Sequence, residues 1–584
     1  MSGKGGIAVI GVIPQYPKHS KNNIYARVRM PPVGIVSVMS QFCQDKRFDS
    51  VYAIDENNYV GPVDNMGLPD HCFLQSLKPA GVALFYGGMS NSIPRLFSVA
   101  KQYKRFGAVT IAGGSHVDAL PAEALRSGVD IVVHGEGEVT MKEILDIIIK
   151  DGVVCFDPDE LRGVKGISLL GRDGSFIFTG KREPIARLDD LQDVDLTLIK
   201  HLARRWSAIP VNRGRGCNYN CEFCVVNKQY GRFKSLSVER AMRQVIKYSD
   251  LGYKSFFFTD DNFAQDVEEA ILLSRMIGDY KRRFNKKIGL MVQVRTEVAE
   301  NDRLIAAMKY AGVHTLAIGY ESPINEELKA MRKGVTVEKL VSRSRKLADS
   351  FYLHGMFIFG YPSFHDSKFK SSLPLEKRAR MYKRFFKKAR IDTVQMLNAV
   401  PLPGSLLRTR LEAEGRVLPL ETVGWDKYDG LWLCYDARPE GLDQNSLEEF
   451  PKVLMKSRYQ GNFISRNVNY GNWMNWAYYA TIGFPVQFGV FYMRRFFHNL
   501  AEQRSIRRLM SENERALGIK VKKRNIFHEP LVRSWGDIRR KWRNLAVKTY
   551  AGGIVRDWYR EYRKSPHPEK VAVYFSKSRK TSAS

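Results

Sequence analysis

The sequence predicts an α/β chain: an N-terminal doubly wound domain, a (β/α) partial barrel, and a mostly helical, basic C-terminal extension. Three observations carry that prediction. Short apolar runs alternate with amphipathic stretches over residues 1–150, the alternation resumes over about 206–415, and after 416 it gives way to aromatic and then basic sequence. Strands alternating with helices build parallel sheets, whose ligands gather beyond the carboxyl ends of the strands. With 584 residues, 44% hydrophobic and 26% charged, the chain has the make-up of a multidomain globular protein.

In the first unit, residues 7–12, 50–54, 81–86, 108–112 and 130–133 read as buried strands, with helical stretches at 34–42, 92–106 and 121–127. The loops between them are rich in glycine: Gly87-Gly88, Gly113-Gly114-Ser115-His116 and Gly135-Glu136-Gly137-Glu138. Glycine at a strand end either lets a ligand approach the backbone or simply makes a tight turn. Residues 151–205 read as a connector with a hairpin near Gly171-Arg-Asp-Gly174. In the second unit, 256–259, 289–294, 315–319, 356–359 and 393–397 read as strands, with helices such as 238–249 and 267–283 between them. Such a barrel carries its chemistry at the carboxyl ends of its strands.

The apolar run after Met1-Ser-Gly-Lys-Gly-Gly is too short for a signal-peptide core and reads as a first strand. Seven cysteines, an odd number with three inside eight residues, argue against a disulfide framework and for a reducing, cytoplasmic setting.

Those three cysteines are the most specific feature. In Arg213-Gly-Arg-Gly-Cys217-Asn-Tyr-Asn-Cys221-Glu-Phe-Cys224 the spacing is Cys-x3-Cys-x2-Cys, just after the first predicted barrel strand. Three thiolates on one loop can hold three irons of a [4Fe–4S] cubane and leave the fourth open, whereas a structural zinc wants four ligands, usually as two pairs. No second pair is visible at a natural distance.

This loop resembles the signature of the radical S-adenosylmethionine (SAM) enzymes. The resemblance implies that Cys217, Cys221 and Cys224 ligate the cluster and that Phe223 packs near the adenine. It implies that SAM chelates the open iron and is cleaved reductively, with electrons from an external donor, to a 5′-deoxyadenosyl radical. Further segments match in order: Asp260 and Asp261 in Phe257-Phe-Thr-Asp-Asp-Asn-Phe263, Gln293 in Gln293-Val-Arg295, Glu321 in Gly319-Tyr-Glu-Ser322, and Gly360 in Gly355-Met-Phe-Ile-Phe-Gly-Tyr-Pro362. The resemblance assigns these to SAM. By themselves, Asp260 and Asp261 read equally as helix caps, Glu321 as half of an ion pair and Gly360 as a turn residue.

Residues 1–150 resemble the cobalamin-binding domain that precedes the barrel in one radical SAM group. The matching segments are Pro31-Pro32-Val-Gly34, Gly113-Gly114-Ser-His116 with Pro121, and Asp130-Ile-Val-Val-His-Gly135-Glu-Gly-Glu138. They imply corrin contacts from Gly113, Gly114, His116 and Gly135. The Asp-x-His-x-x-Gly motif that supplies a lower cobalt ligand elsewhere is absent, since none of the eleven histidines has Asp two positions before it. His116 on its own reads as a residue that orders its loop. Radical enzymes that methylthiolate transfer RNA carry three further N-terminal cysteines; here Cys43, Cys72 and Cys155 lack a ligand-loop context and read as buried apolar thiols, as does Cys434.

The C-terminal third opens with Pro401-Leu-Pro403-Gly404-Ser405 and then holds 467–493, which has no charged residue and is dense in Trp, Tyr and Phe. Its composition suits a membrane–water interface, an apolar substrate tunnel or a buried helical pair. The formal charge of +31 raises nucleic acid or an anionic membrane as partners, and residues 494–584 hold 24 Lys and Arg against 8 Asp and Glu, about half of that excess.

The expected organisation is therefore a cobalamin-type domain (1–150), a connector (151–205), a radical SAM barrel (206–415) and an aromatic, basic region (416–584). The expected activity is modification of an unactivated carbon of a hydrophobic small molecule, foremost by methyl transfer. Radical cyclisation or rearrangement, or modification of nucleic acid through the basic tail, are the alternatives. A peripheral membrane contact is expected through 467–543.

Overall fold

The computed structural model describes residues 6–17, 30–362, 373–440 and 445–455. The predicted aromatic stretch and the basic extension lie outside these residues.

The first sheet has eight strands: β1 (Ile7–Ile13), β2 (Phe48–Asp55), β3 (Val82–Tyr86), β4 (Val109–Gly113), β5 (Ile131–Val133), β6 (Ile167–Leu170), β7 (Phe176–Phe178) and β8 (Ile199–Lys200). Their order is β8-β2-β1-β3-β4-β5-β6-β7, parallel from β8 to β5 and antiparallel beyond. Every residue of β1 is buried, as a central strand covered on both faces requires. Helices α1 (Val33–Ser40) and α3 (Gly137–Ile148) lie on one face, and α2 (Ile93–Arg105) on the other.

The expected connector 151–205 turns out differently. It supplies β6 and β7 at one edge of this sheet and β8 at the other. Its hairpin was legible from Gly171 and Gly174, but a two-residue strand such as β8 has no periodicity to read.

The second sheet is all parallel and runs in chain order: β9 (Ile209–Val211), β10 (Ser255–Phe258), β11 (Gly289–Val294), β12 (Val313–Glu321), β13 (Tyr352–Phe359) and β14 (Thr393–Asn398). Helices α4 (Val238–Asp250), α5 (Val267–Arg283), α6 (Asp302–Ala311), α7 (Val337–Ala348) and α8 (Leu375–Lys388) follow β9 to β13, and α9 (Leu406–Ala413) follows β14. This is a six-stranded partial barrel. Along β11, β13 and β14 burial alternates residue by residue. Leu290, Val292 and Val294 pack into the core, whereas Met291 and Gln293 are only half-buried, so one face of the sheet borders an open lumen.

The core on the α1–α3 face of the first sheet is continuous with the barrel core through Trp206, Ile209 and Val211. On the opposite face, Val423, Trp425, Tyr428 and Cys434 from the chain beyond α9 pack with Val12, Ala112 and Val117. Both halves are thereby fixed against each other at two places. Among the described residues no helix is long and apolar enough to cross a membrane.

Candidate active site

The cysteine loop leaves β9 under tight control. Asp260 is fully buried at the end of β10, and its Oδ1 accepts from the backbone N–H groups of Arg213 (2.8 Å) and Gly214 (2.9 Å). Gly216 has φ +83°, and a Cβ there would stand 2.6 Å from the carbonyl oxygen of Arg232, so this turn requires glycine. The three thiols are half-buried. Burial pushes Cys224 up to about 11 and moves Cys217 the same way. As free groups they would be protonated and poorly nucleophilic, whereas metal coordination deprotonates a thiol. Among the described residues no three His, Cys, Asp or Glu side chains converge on one ion position. Three soft thiol donors on one loop suit a cubane, in which each thiolate binds its own iron. The loop fits an iron–sulfur cluster.

Asp261, Gln293, Glu321 and Gly360 share the carboxyl-terminal rim of the barrel. Burial, with the charge of Asp260, raises the Asp261 carboxyl to about 7. Gln293 Nε2 donates to the Asp261 carbonyl at 3.4 Å. Next to it, the Arg295 guanidinium stacks on Tyr219 of the cysteine loop, 3.8 Å from the ring centroid. Phe223 stands edge-on to Tyr361 at 6.5 Å between centroids.

Three rim residues also engage neighbouring protein groups. Asp260 is spent on the loop backbone, as described. Glu321, at a bulge with φ +62°, is buried in an ion pair with Lys333 Nζ at 2.9 Å, the pair filling the space over Gly319. Gly360 is covered by the later chain: its carbonyl accepts from the Tyr435 hydroxyl, and Leu447 packs where its Cβ would be.

Facing the cysteine loop is a cavity of about 240 Å³, or about 1080 Å³ with its open mouth. Its floor is the carboxyl edge of the first sheet, including Gly34, Gly113, Gly114, Gly135 and Gly137. Its roof is Asn212, Gly214, Arg215, Gln229, Tyr230, Thr259 and Asp261 from the barrel half. A Cβ at Gly34 would meet no atom within 4 Å, so this glycine leaves room in the cavity, whereas Gly135, with φ +62°, is required by its turn. A broad glycine floor at strand ends suits a flat macrocycle, and the residues present fit a corrin.

His116 does not belong to that floor. Its ring is buried under Trp425, edge-on at 4.5 Å, and its Nδ1 pairs with Ser90 Oγ at 2.9 Å. The expected corrin contact is thus corrected: the start of the Ser115–Ala119 helix turns this side chain to the opposite side of the sheet.

Residues 211–373 match the family model of the radical SAM superfamily. An uncharacterized methyltransferase of Pyrococcus horikoshii is 30% identical over 343 residues, 57% of this chain and 69% of the relative. The chain belongs to the radical SAM superfamily. A hopanoid C-2 methylase of Rhodopseudomonas palustris is 24% identical, covering 52% of this chain and 51% of its own. In fold, the chain matches the radical SAM methyltransferase TsrM from Kitasatospora setae, solved with cobalamin and a [4Fe–4S] cluster bound, with a TM-score of 0.54, 15% identity, and 70% and 78% of the two chains covered.

As a radical SAM enzyme it uses a [4Fe–4S] cluster and SAM; Cys217, Cys221 and Cys224 lie half-buried on the one loop that follows β9. Cys43 and Cys72 are half-buried and Cys155 is exposed, which corrects the expectation that all three are buried; only Cys434 is.

Sequence reading missed the residues that steady this radical SAM centre. Glu222, inside the cysteine motif, is buried and held by Arg410 of α9 and by the Tyr361 hydroxyl at 2.5 Å. Arg215, two residues before Cys217, reaches Glu136 and Glu138 of the first unit. A charged residue between two cysteine ligands was the available signal; its partner 188 residues away had none.

Proposed function

We propose that this radical SAM enzyme methylates an unactivated carbon of a hydrophobic small molecule, with cobalamin held between the glycine floor and the cysteine loop. The observation that carries this reading is the shared cavity: strand ends of the first unit and residues flanking the cysteine loop line one space. Bound there, cobalamin supplies a methyl donor for carbon, and the cluster with SAM supplies the radical that activates that carbon.

The chain's own residues do the rest. Gly34, Gly113, Gly114 and Gly135 keep part of the floor low beside Val33, Tyr86 and Met141, and Tyr230 and Arg215 line the roof. On the barrel sheet, Phe257, Met291, Met356 and Ile358 occupy half-buried positions of the alternation beside Gln293, His354 and Gln395, so the lumen wall is apolar in part and carries polar groups. Its apolar part excludes water from a reactive radical and suits an apolar substrate. The methyltransferase names of the relatives support methyl transfer, and the hopanoid methylase among them supports a lipid-like substrate. The aromatic and basic stretches beyond 466 support a peripheral membrane contact.

The test uses the full chain, reconstituted without oxygen with iron, sulfide and hydroxocobalamin, and SAM labelled in its methyl group. Incubation with a total lipid extract should place label in the organic phase and release 5′-deoxyadenosine, both lost in Cys221→Ala. Label recovered in added transfer RNA instead would overturn the substrate class. A corrin-free preparation after gel filtration would overturn the cobalamin assignment.

A further inference from the structure

Arg215 and Lys234 sit opposite each other on a two-stranded ribbon, residues 214–215 with 234–235, whose first strand ends two residues before Cys217. Both cations leave the barrel half. Arg215 Nη1 donates to Glu136 Oε1 at 3.0 Å, and its Nη2 donates to Glu138 Oε1 at 2.5 Å and to Ser37 Oγ at 3.1 Å. Lys234 engages the other oxygen of Glu136 and donates to the Ile185 carbonyl at 2.8 Å. Ser37 completes the network by donating to Glu138 at 2.7 Å. The Arg215 side chain is 13% exposed, Glu136 5% and Glu138 3%. Two cations therefore face two carboxylates in a nearly dry joint, and Glu136, Glu138 and Arg215 all border the cavity.

A buried ion-pair network adds little net stability over a well-packed apolar contact, because desolvation offsets the attraction; its best-attested use is to fix a register. The guanidinium fork is directional in a way that an ammonium is not. Here the fork ties the segment leading into the cysteine loop to the segment that continues the glycine floor, so its geometry sets how loop and floor face each other. We propose that Arg215 is a positioning residue that fixes the separation and orientation of the cobalamin floor relative to the cluster loop. The proposal rests on the cobalamin reading above.

The experiment compares wild type, Arg215→Lys and Arg215→Gln as full chains loaded with the cluster and with cobalamin, both reduced to paramagnetic states. Electron paramagnetic resonance of the wild type should show a magnetic interaction between the cobalt(II) and cluster spins. Arg215→Lys keeps the charge and should keep iron, cobalt and melting temperature while this interaction weakens or broadens. Arg215→Gln should lose it or fail to retain cobalamin. An interaction unchanged in both loaded variants overturns the proposal. So does a parallel loss of cobalamin and melting temperature in Arg215→Lys, which would mark a merely structural lock. Loss of cobalamin from Arg215→Lys at unchanged melting temperature also overturns it, because that marks a direct contact of Arg215 with the corrin rather than a positioning role. A wild type that binds no cobalamin sinks the reading of the cavity and this proposal with it; a wild type that binds cobalamin but whose variants behave alike sinks the proposal alone.

Discussion

Glu222 Oε1 lies 2.8 Å from Arg410 Nε, which ties the cysteine loop to the helix that follows the barrel. The same guanidinium donates to Glu222 Oε2 at 3.2 Å and to the Pro362 carbonyl at 3.1 Å, so one side chain joins loop, rim and helix. Arg410→Met leaves the Glu222 carboxylate buried with only the Tyr361 hydroxyl to satisfy it. Breaking such a pair costs on the order of 3–5 kcal/mol. Denaturant unfolding should register that loss, and iron content after reconstitution should fall with it, while Arg410→Lys retains most of both. Full iron content and an unchanged midpoint in Arg410→Met would show that the pair is dispensable.

The floor glycines differ in what they tolerate. Gly34 is the second residue of α1, and a Cβ there meets nothing within 4 Å, so Gly34→Leu should leave stability equal or raised by up to about 1 kcal/mol through helix propensity. Its side chain enters the cavity, and hydroxocobalamin uptake, followed by visible absorption, should fall at least about tenfold, a loss of about 1.4 kcal/mol of binding. Gly114 has φ +125° with the Gly88 nitrogen 2.5 Å from a Cβ position, so Gly114→Ala should instead lower the melting temperature. Equal cobalamin uptake by Gly34→Leu and wild type would place the corrin elsewhere.

His201 gives the first unit a dependence on pH. Burial, aided by the charge of Lys200, lowers its imidazole to about 4 against an ordinary value near 6.5. Between these values the unfolded chain binds a proton that the folded chain does not. The neutral-ring contribution is therefore fully present above about pH 6.5 and is lost as pH falls toward 4, by roughly 3 kcal/mol in all. His201 also has φ +57°, a region asparagine tolerates, so His201→Asn removes the titration without demanding a new backbone. Unfolding free energies measured from pH 7 to 4 should slope less steeply in His201→Asn than in wild type. Parallel slopes would assign the acid sensitivity to other groups.

The surplus of basic residues after 493 should make vesicle binding dependent on salt. The full chain should co-sediment with phosphatidylserine vesicles in dilute buffer, and binding should collapse near 1 M salt, where the screening length is only about 3 Å. Binding to neutral vesicles that matches the anionic ones would assign the contact to the aromatic stretch alone.

Local signals in the sequence were faithful. The strand at 289–294 and the helix at 267–283 fall where periodicity puts them, because one apolar face of each packs on a neighbour. The three cysteines stand out in the sequence because their spacing puts three soft donors on one loop. What sequence reading missed depends on pairing at a distance. Arg215 reaches Glu138 across 77 residues, and the Gly135-Glu-Gly-Glu138 segment reads from sequence as a tight turn or a ligand loop because its cationic partners are distant in the chain. His116 followed two glycines as a cofactor residue would, yet Trp425, some 300 positions later, claims its ring. Short strands such as Ile199–Lys200 carry too few side chains for any alternation, so the sheet's far edge was hidden.

The cavity that unites floor and roof has a consequence for how such a chain diversifies. Neither half encloses the cavity alone: residues 33–35, 38, 84–86, 111–114, 133, 135–138 and 141 are the floor, and 212, 214–215, 229–230, 259 and 261 are the roof. A change in pocket shape on one side is felt at once by the other, so the two halves are bound to co-adapt. A chimera that exchanges the first 205 residues for those of a distant relative would bring a floor cut for another roof.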